Sequence, residues 1–138
     1  LLDVIKVISK YVDKYKPDTI FTHHHGDLNI DHRIVCEAVL TACRPVGEYC
    51  VERIYSYETA SSTEWNYTYG EPCKPTVFFD VTDTVEAKIQ GMNCYRSESA
   101  AYPHPRSAEA LRALASYRGS NVGVGMAEAF MSLREVNR

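Results

Sequence analysis

Histidines are concentrated in one short segment of this sequence. Four of the five histidines lie within the ten residues from His23 to His32, together with the carboxylates Asp27 and Asp31. Neutral imidazole nitrogens and carboxylate oxygens bind Zn²⁺ and also act as acids and bases. The alternatives are a solvated loop or the remnant of a purification tag, but a tag would not continue into Gly-Asp-Leu-Asn-Ile-Asp-His. The segment therefore favours a metal or catalytic site.

The sequence around this segment places it at the end of a strand. From Leu1 to Tyr15 apolar residues recur at helical spacing, and Lys16-Pro17 ends that predicted helix because proline disfavours helical geometry in the residue before it. The run from Thr19 to Thr22 is β-branched and aromatic, which predicts a buried strand. Helical spacing then returns, with Asn29 or Asp31 as the N-cap. The histidine segment is thus predicted to be the loop between a strand and a helix.

The rest of the sequence alternates between strand and helix patterns. Strands are predicted for Val51 to Tyr57 and Thr76 to Val81, with an irregular segment from Glu58 to Lys74 between them. Three helices are predicted after the second of these strands. The first opens with a capping box at Asp83 to Glu86, the second runs from Ser107 to a left-handed glycine at Gly119, and the third runs from Met126 to Val136. This order predicts a Rossmann-like, three-layer α/β fold with a mostly parallel sheet. Only three strands are evident, so we expect the sheet to lack its N-terminal strand or strands.

The composition is that of a single domain covering residues 1–138. Hydrophobic residues make up 45% of the chain and charged residues 24%, with a net charge of −3, which leaves no basic surface for a nucleic acid. No segment has the roughly 20 apolar residues that cross a bilayer. The five cysteines form no C-x-x-C pair, which favours reduced thiols in a cytoplasmic protein. The expected partner is a small molecule.

The histidine segment resembles the second signature of the LmbE-like, or PIG-L type, family of zinc-dependent N-deacetylases. In that signature a polar loop ends in an Asp-His pair that opens a helix, and Asp31-His32 is such a pair. Other pieces follow in the order seen in sugar-modifying bacterial members and cover nearly the whole chain: Lys16 to His23, Ser61 to Trp65, Phe79 to Val81, Lys88, Tyr95, Pro103 to Ser107, Arg118-Gly119 and Ala127 to Phe130. The resemblance implies a hydrolase that uses Zn²⁺ to remove the acetyl group from an N-acetylated sugar, of the N-acetylglucosamine type or a sugar conjugate.

The sequence departs from the family pattern in two places. The first family signature, His-Pro-Asp-Asp-Glu, supplies the other zinc ligands and the catalytic base, and it does not occur in this sequence. We therefore expect the chain to be the C-terminal two-thirds of a family member and to be inactive by itself. Asn29 stands where many members have a histidine, and an amide can donate a hydrogen bond to an oxyanion but cannot transfer a proton.

The resemblance assigns roles to particular residues. His32 is the implied zinc ligand, and Asn29 is the implied oxyanion donor. Asp31 is either a carboxylate that orients a neighbouring group or the N-cap of the helix. Contacts with the substrate are expected from five side chains: His23, His25, Asp27, His104 and Arg106.

Two of these substrate contacts have a structural alternative. Asp27 could instead hold the loop by accepting backbone N–H groups. Arg106 could instead form a surface salt bridge.

A binding module without turnover is the rival hypothesis. In that case the chain is an α/β fragment that holds a sugar or a nucleotide, or that a partner chain completes, and a homo-oligomer is one such arrangement. The missing first signature is the main support for this hypothesis. Metal content separates the two, because only the enzyme requires zinc.

Overall fold

The computed structural model describes residues 1–68 and 70–137. Helices and strands follow one another within these residues in the order α1 (Leu2–Tyr15), β1 (Thr19–His23), α2 (Ile30–Ala42), β2 (Arg53–Tyr57), β3 (Val77–Asp80), α3 (Val85–Cys94), α4 (Ala108–Ser120) and β4 (Ala127–Glu135). The chain divides into two compact units, the first made of Leu1–Lys74 and the chain from Phe130 onward, and the second of Pro75–Ala129.

Helix α1 ends where the sequence predicts. Lys16 adopts a left-handed conformation, with φ of 47° and ψ of 54°, and its N–H donates to the carbonyl of Val12 at 2.9 Å. Pro17 then prevents another helical turn. Helix α1 packs against α2 in the first unit, whose apolar core contains Val12, Val39, Cys43, Val51 and Ile54.

Strands β1 and β2 place the histidine loop at one edge of the sheet. The two strands are parallel, with Ile20 opposite Ile54 and His23 opposite Tyr57. Parallel strands have their carboxyl ends at the same edge, where ligands of open α/β sheets bind. The prediction that the histidine loop follows a strand and precedes a helix is confirmed.

The segment predicted to be the last helix is a strand. Strand β4 pairs antiparallel with β2, so that Phe130 lies opposite Tyr57. Its residue types favour helix, but Ala127 and Ala129 are buried and alternate with half-buried residues, which is the period of a strand. Pairing with β2 has overridden the local preference for helix.

This strand changes the sheet but not the fold class. The strand order is β1-β2-β4-β3. Because β4 runs antiparallel to β2, the sheet is mixed rather than mostly parallel. The predicted α/β class is confirmed.

In the second unit α3 packs against α4, and the capping box predicted at the start of α3 does not form. Thr84 precedes the helix without a side-chain cap. Glu86, the acid that the box requires, instead accepts two hydrogen bonds from the Arg112 guanidinium of α4, each 2.7 Å long. Helix α3 is held by the burial of Val85 and Ile89.

Helix α4 begins as predicted but ends differently. The hydroxyl of Ser107 accepts the N–H of Ala110 at 3.1 Å, which confirms the predicted N-cap. Gly119 does not end the helix, which continues to Ser120. A Cβ at Gly119 would lie 2.7 Å from the carbonyl oxygen of Val124, so this glycine permits a close approach of the following chain.

Two expectations from the composition can be compared with the described residues. All five cysteines are free thiols, as the sequence predicts. Among the described helices none combines the length and the apolar character that spanning a bilayer requires.

Candidate functional site

The loop between β1 and α2 is closed by its own polar groups. Asn29 is the N-cap of α2, because its side-chain oxygen accepts the N–H of Asp31 at 2.9 Å. The Arg33 guanidinium donates from Nη1 to the carbonyls of Asp27 at 2.7 Å and Leu28 at 2.8 Å. Of the two N-caps considered from the sequence, Asn29 is therefore the one that forms, and Asp31 is not the cap.

Asp27 lies at the centre of this loop with no exposed surface. Its Oδ1 accepts the N–H of Asn29 at 2.8 Å and the hydroxyl of Ser62, and its Oδ2 accepts the hydroxyl of Thr63 at 2.7 Å. Burial alone would raise the pKa of this carboxyl, but these hydrogen bonds outweigh burial and hold the pKa below its ordinary value. The Asp27 carboxylate is therefore charged and buried, and it accepts hydrogen bonds from three donors.

His32 lies against this carboxylate. Its Nδ1 is 3.1 Å from Oδ1 of Asp27, and its ring stacks on that of His23 with centroids 4.2 Å apart and planes 22° apart. Burial lowers the pKa of His23, the nearby His32 lowers it further, and Asp27 partly opposes the shift. His23 is thus favoured as a neutral ring, which stacks on His32 without charge repulsion.

The other two histidines of the run have different surroundings. His24 is fully buried, with its Nε2 2.9 Å from the carbonyl oxygen of Glu71. His25 is exposed. Burial, followed by the neighbouring His24, lowers the pKa of His25, and Glu71 partly opposes the shift. The run therefore offers His25, rather than His24, to a ligand from solvent.

Gly26 lets the irregular segment after β2 approach the loop. A Cβ at this position would lie 2.5 Å from the carbonyl oxygen of Glu71, which no side chain can accommodate without a shift of the backbone. The Asn66 amide also donates to the Gly26 carbonyl. Asn66 and Glu71 thus lie directly against the histidine loop.

The structure distinguishes between the roles considered for Asp27 and Asp31. Asp27 has no surface that a sugar hydroxyl could reach, so its contacts favour the loop-holding role. Asp31 is exposed on the first turn of α2. The carboxylate that lies against His32 is that of Asp27.

His104 and Arg106 belong to the second unit. Arg106 donates from Nη1 to the Glu98 carboxylate, and Nδ1 of His104 accepts the N–H of Arg106 at 3.1 Å. The surface salt bridge considered as the alternative for Arg106 is therefore present. Whether either side chain also contacts a substrate stays a prediction.

Ser62 and Thr63 are site residues to which the sequence analysis gave no role. They lie 35 and 36 positions after Asp27, in a segment without helix or strand among its described residues. Their only signal was membership of Ser61 to Trp65, one of the pieces that carry the family resemblance. No local pattern indicates that these hydroxyls meet Asp27.

The described residues do not form a complete metal site. No group of three His, Cys, Asp or Glu side chains among residues 1–68 and 70–137 is arranged to hold a metal ion, whereas a catalytic zinc has three protein ligands. His32 does fit one such ligand, because a metal-binding histidine commonly directs its other ring nitrogen to a carboxylate. His32 as a zinc ligand stays a prediction.

Comparisons with known proteins bear on the fold. No family model matches the sequence. The solved structures that match include the conserved protein TT1542 from Thermus thermophilus (TM-score 0.76, 21% identity), the 4-carboxy-2-hydroxymuconate hydratase GalB from Pseudomonas putida (0.73, 19%) and the N,N'-diacetylchitobiose deacetylase from Pyrococcus horikoshii (0.66, 22%). The chain shares the fold of these three proteins. This supports the LmbE-like resemblance at the level of the fold.

The three matches differ in length from this chain. The matches to TT1542, GalB and the chitobiose deacetylase cover 100%, 100% and 96% of this chain, and they cover 61%, 61% and 51% of those proteins' own chains. The structural match therefore extends over nearly all of this chain and over little more than half of each of the other proteins.

Proposed function

We propose that the complete protein is a zinc-dependent N-deacetylase that hydrolyses the acetamido group of an N-acetylated sugar. The observation that carries this proposal is the pair His32 and Asp27, at the carboxyl end of β1, in which a buried carboxylate lies 3.1 Å from one ring nitrogen of the histidine. The fold shared with a chitobiose deacetylase supports the same proposal.

The chemistry of amide hydrolysis defines what the site must provide. A bound Zn²⁺ would lower the pKa of a water molecule to about 7 and polarise the amide carbonyl. His32 is the ligand that this chain contributes. Asn29 uses its side-chain oxygen in the cap of α2, so its amide nitrogen is the group that can donate to a developing oxyanion. Asp31, exposed on the same turn, is proposed to orient a neighbouring group other than His32, whose adjacent carboxylate is that of Asp27.

The remaining zinc ligands and the base are proposed to come from residues beyond these 138. This part of the proposal follows from the number of ligands, because the described residues contain no three-ligand group. In this proposal His32 and the Asp27 carboxylate form one part of the active site. Residues 1–138 alone therefore do not turn over substrate.

The substrate class rests on the resemblance and on one matched structure, and the proposed contacts are His23, His25, His104 and Arg106. Of these, His25 is the exposed ring of the histidine run. The guanidinium of Arg106 suits a phosphate or carboxylate on a sugar conjugate, provided that the substrate displaces Glu98.

The test uses the full-length protein purified with zinc and incubated with N-acetylglucosamine or N,N'-diacetylchitobiose. We expect release of acetate, and we expect His32→Ala to lose both the metal, by elemental analysis, and the activity. Thr68→Val, at an exposed residue of the segment that follows β2, is the control and should retain both.

Two results would contradict the proposal. Unchanged zinc content in His32→Ala would show that His32 is not a ligand. Binding of the sugars without release of acetate would favour the module without turnover. A hydratase shares the fold, so 4-carboxy-2-hydroxymuconate is included as a substrate, and turnover of that compound alone would replace deacetylation by hydration.

A further inference from the structure

The buried carboxylate behind His32 has a role that the sequence does not assign. We propose that Asp27 is a positioning residue that keeps the neutral ring of His32 protonated on Nδ1, and that Ser62 and Thr63 hold Asp27 in place for this purpose. This inference deepens the proposed function, because it concerns the residue proposed there as the zinc ligand.

The hydrogen bonds of Asp27 show that its carboxylate is an acceptor. Three donors already reach its oxygens, namely the N–H of Asn29 and the hydroxyls of Ser62 and Thr63. An ionised carboxylate only accepts hydrogen bonds. A ring nitrogen that faces such an oxygen must therefore carry the proton, since two facing lone pairs repel each other.

The position of His32 meets this requirement. Its Nδ1 lies 3.1 Å from Oδ1 of Asp27, within the range of an N–H···O hydrogen bond. Nδ1 is buried, and its direction to this oxygen is not that of a fully formed hydrogen bond, nor does it form one with any other group in the described part of the chain. With the proton on Nδ1, a neutral imidazole keeps its lone pair on Nε2, the nitrogen left for a metal or for a substrate proton.

Ring stacking restricts His32 from a second direction. The ring of His23 lies 4.2 Å away and nearly parallel, and the ring of Tyr57 contacts His23 with its centroid 5.0 Å away. His32 thus has a carboxylate oxygen 3.1 Å from one nitrogen and a ring stacked on one face. An imidazole held in this way loses little freedom when it binds a ligand, which is the usual gain from preorganisation.

The segment from Ser61 to Glu64 holds the carboxylate itself. The hydroxyl oxygen of Thr63 accepts the N–H of Thr59 at 2.8 Å, so its single hydrogen is left for Asp27. The Glu64 carboxylate accepts the N–H groups of Ser61 and Ser62, which fixes the turn that carries the two hydroxyls. Asp27 therefore has donors from its own loop and from a segment 35 residues later in the chain.

Nuclear magnetic resonance of ¹⁵N-histidine in the full-length protein tests the inference, after the metal is removed with a chelator. At about pH 8.5 an imidazole of ordinary pKa is neutral, and the two ring nitrogens report which of them carries the proton. We expect His32 to show a single tautomer with the proton on Nδ1. In Asp27→Ala, and in the double variant Ser62→Ala with Thr63→Val, we expect a mixture of both tautomers.

Matched controls separate the hydroxyl from the volume of the side chain. The single variant Thr63→Ser keeps the hydroxyl, and in it His32 should show the single tautomer of the native protein. Thr68→Val makes the same change as Thr63→Val at an exposed residue of the same segment and should leave His32 as in the native protein. Zinc affinity should fall about 10- to 100-fold in the Asp27 and double variants, as for other residues that support a metal ligand.

The inference is overturned if native His32 carries its proton on Nε2, or if its tautomer is unchanged in folded Asp27→Ala. Should Asp27→Ala fail to fold, an unchanged tautomer in the double variant overturns it equally. These outcomes differ from failure of the proposed function. A protein with the expected tautomers but without zinc or acetate release would contradict only the deacetylase, whereas zinc binding and turnover with unchanged tautomers would contradict only the role of Asp27.

Discussion

Asp27 and Asp31 lie four residues apart and have opposite surroundings. Asp27 is fully buried and accepts hydrogen bonds from Ser62, Thr63 and a backbone N–H. Asp31 is exposed at the start of α2. From the sequence Asp31 was the orienting carboxylate or the cap, and Asp27 was a substrate contact or a loop-holding residue, because the donors that distinguish them come from a distant segment. The residue types of the site could be predicted, but not which carboxylate contacts His32.

Replacing aspartate by asparagine should lower the free energy of unfolding by very different amounts at positions 27 and 31. Asp27→Asn replaces a charged acceptor by an amide that also donates, so at least one buried donor loses its partner. Hydrogen bonds to charged groups contribute about 1.5–3 kcal/mol each, and we expect the free energy of unfolding to fall by about 3 kcal/mol. Asp31→Asn should stay within about 0.5 kcal/mol of the native protein. Urea unfolding of the full-length protein measures both, and equal losses would contradict the burial of Asp27.

Cysteine reactivity should follow burial in the same way. Burial, followed by the charge of Glu37, raises the pKa of Cys36 to about 11, and this residue has no exposed surface. At pH 8 about 0.1% of such a thiol is thiolate, the reactive form. We expect iodoacetamide to modify the exposed Cys94 in the native protein and to modify Cys36 only after unfolding, as measured by mass spectrometry. Modification of both at equal rates would contradict this.

At the scale of the elements, three local signals correctly predicted where an element begins, ends or lies, whereas the capping box of α3 and the end of α4 at Gly119 were wrong. The proline after α1, the cap at Ser107 and the β-branched run of β1 act within a few residues of themselves, and these elements form where predicted. The prediction that β1 is buried is wrong, because Thr22 alone among its five residues is buried and Phe21 is exposed. Strand β4 was predicted as a helix because its partner β2 lies some seventy residues earlier in the chain. Pairing with a distant strand leaves little trace in local composition.

Two helical glycines, Gly91 and Gly119, test whether helix propensity or steric contact decides the effect of replacing glycine by alanine. Replacing glycine by alanine inside a helix ordinarily stabilises it by about 1 kcal/mol. Gly91 in α3 has no atom within 4 Å of the position that a Cβ would occupy, so Gly91→Ala should give this gain. Gly119 in α4 has the carbonyl oxygens of Val124 and Gly125 within 2.7 and 2.8 Å of that position, so Gly119→Ala should destabilise the protein instead.

Thermal unfolding of the two variants beside the native protein measures the difference. The expected signs are opposite, with the melting temperature higher for Gly91→Ala and lower for Gly119→Ala. A gain in both would mean that the chain after α4 does not pack against Gly119. A loss in both would mean that α3 has a contact at Gly91 that the structure does not contain.

At the scale of the whole molecule, the first unit exposes much apolar surface around α1 and β1. Leu2, Val7, Tyr11 and Tyr15 of α1 are all more than half exposed, and Phe21 of β1 is 47% exposed. Strand β1 is at one end of the strand order. A surface of this kind ordinarily contacts another element or another chain.

Residues 1–138 produced alone should therefore associate and should not release acetate from an N-acetylated sugar. Sedimentation velocity measures the association, which we expect to weaken in Tyr11→Lys because a charge is placed on the exposed face of α1. Tyr117→Lys makes the same change at an exposed residue of α4 in the second unit and should leave the association unchanged. A monomer of these residues that releases acetate with zinc would contradict both the proposed association and the proposed division of the active site.

Three consecutive histidines resemble a nickel-affinity tag, but their rings differ in accessibility. His23 stacks on His32 and lies beside the tilted ring of Tyr57, His24 is buried against the Glu71 carbonyl, and His25 is the exposed ring of the three. Capture on immobilised nickel needs several imidazoles that can reach one ion together. The native chain should therefore pass through such a column with little retention, and it should be retained only in denaturant, where all three rings become available.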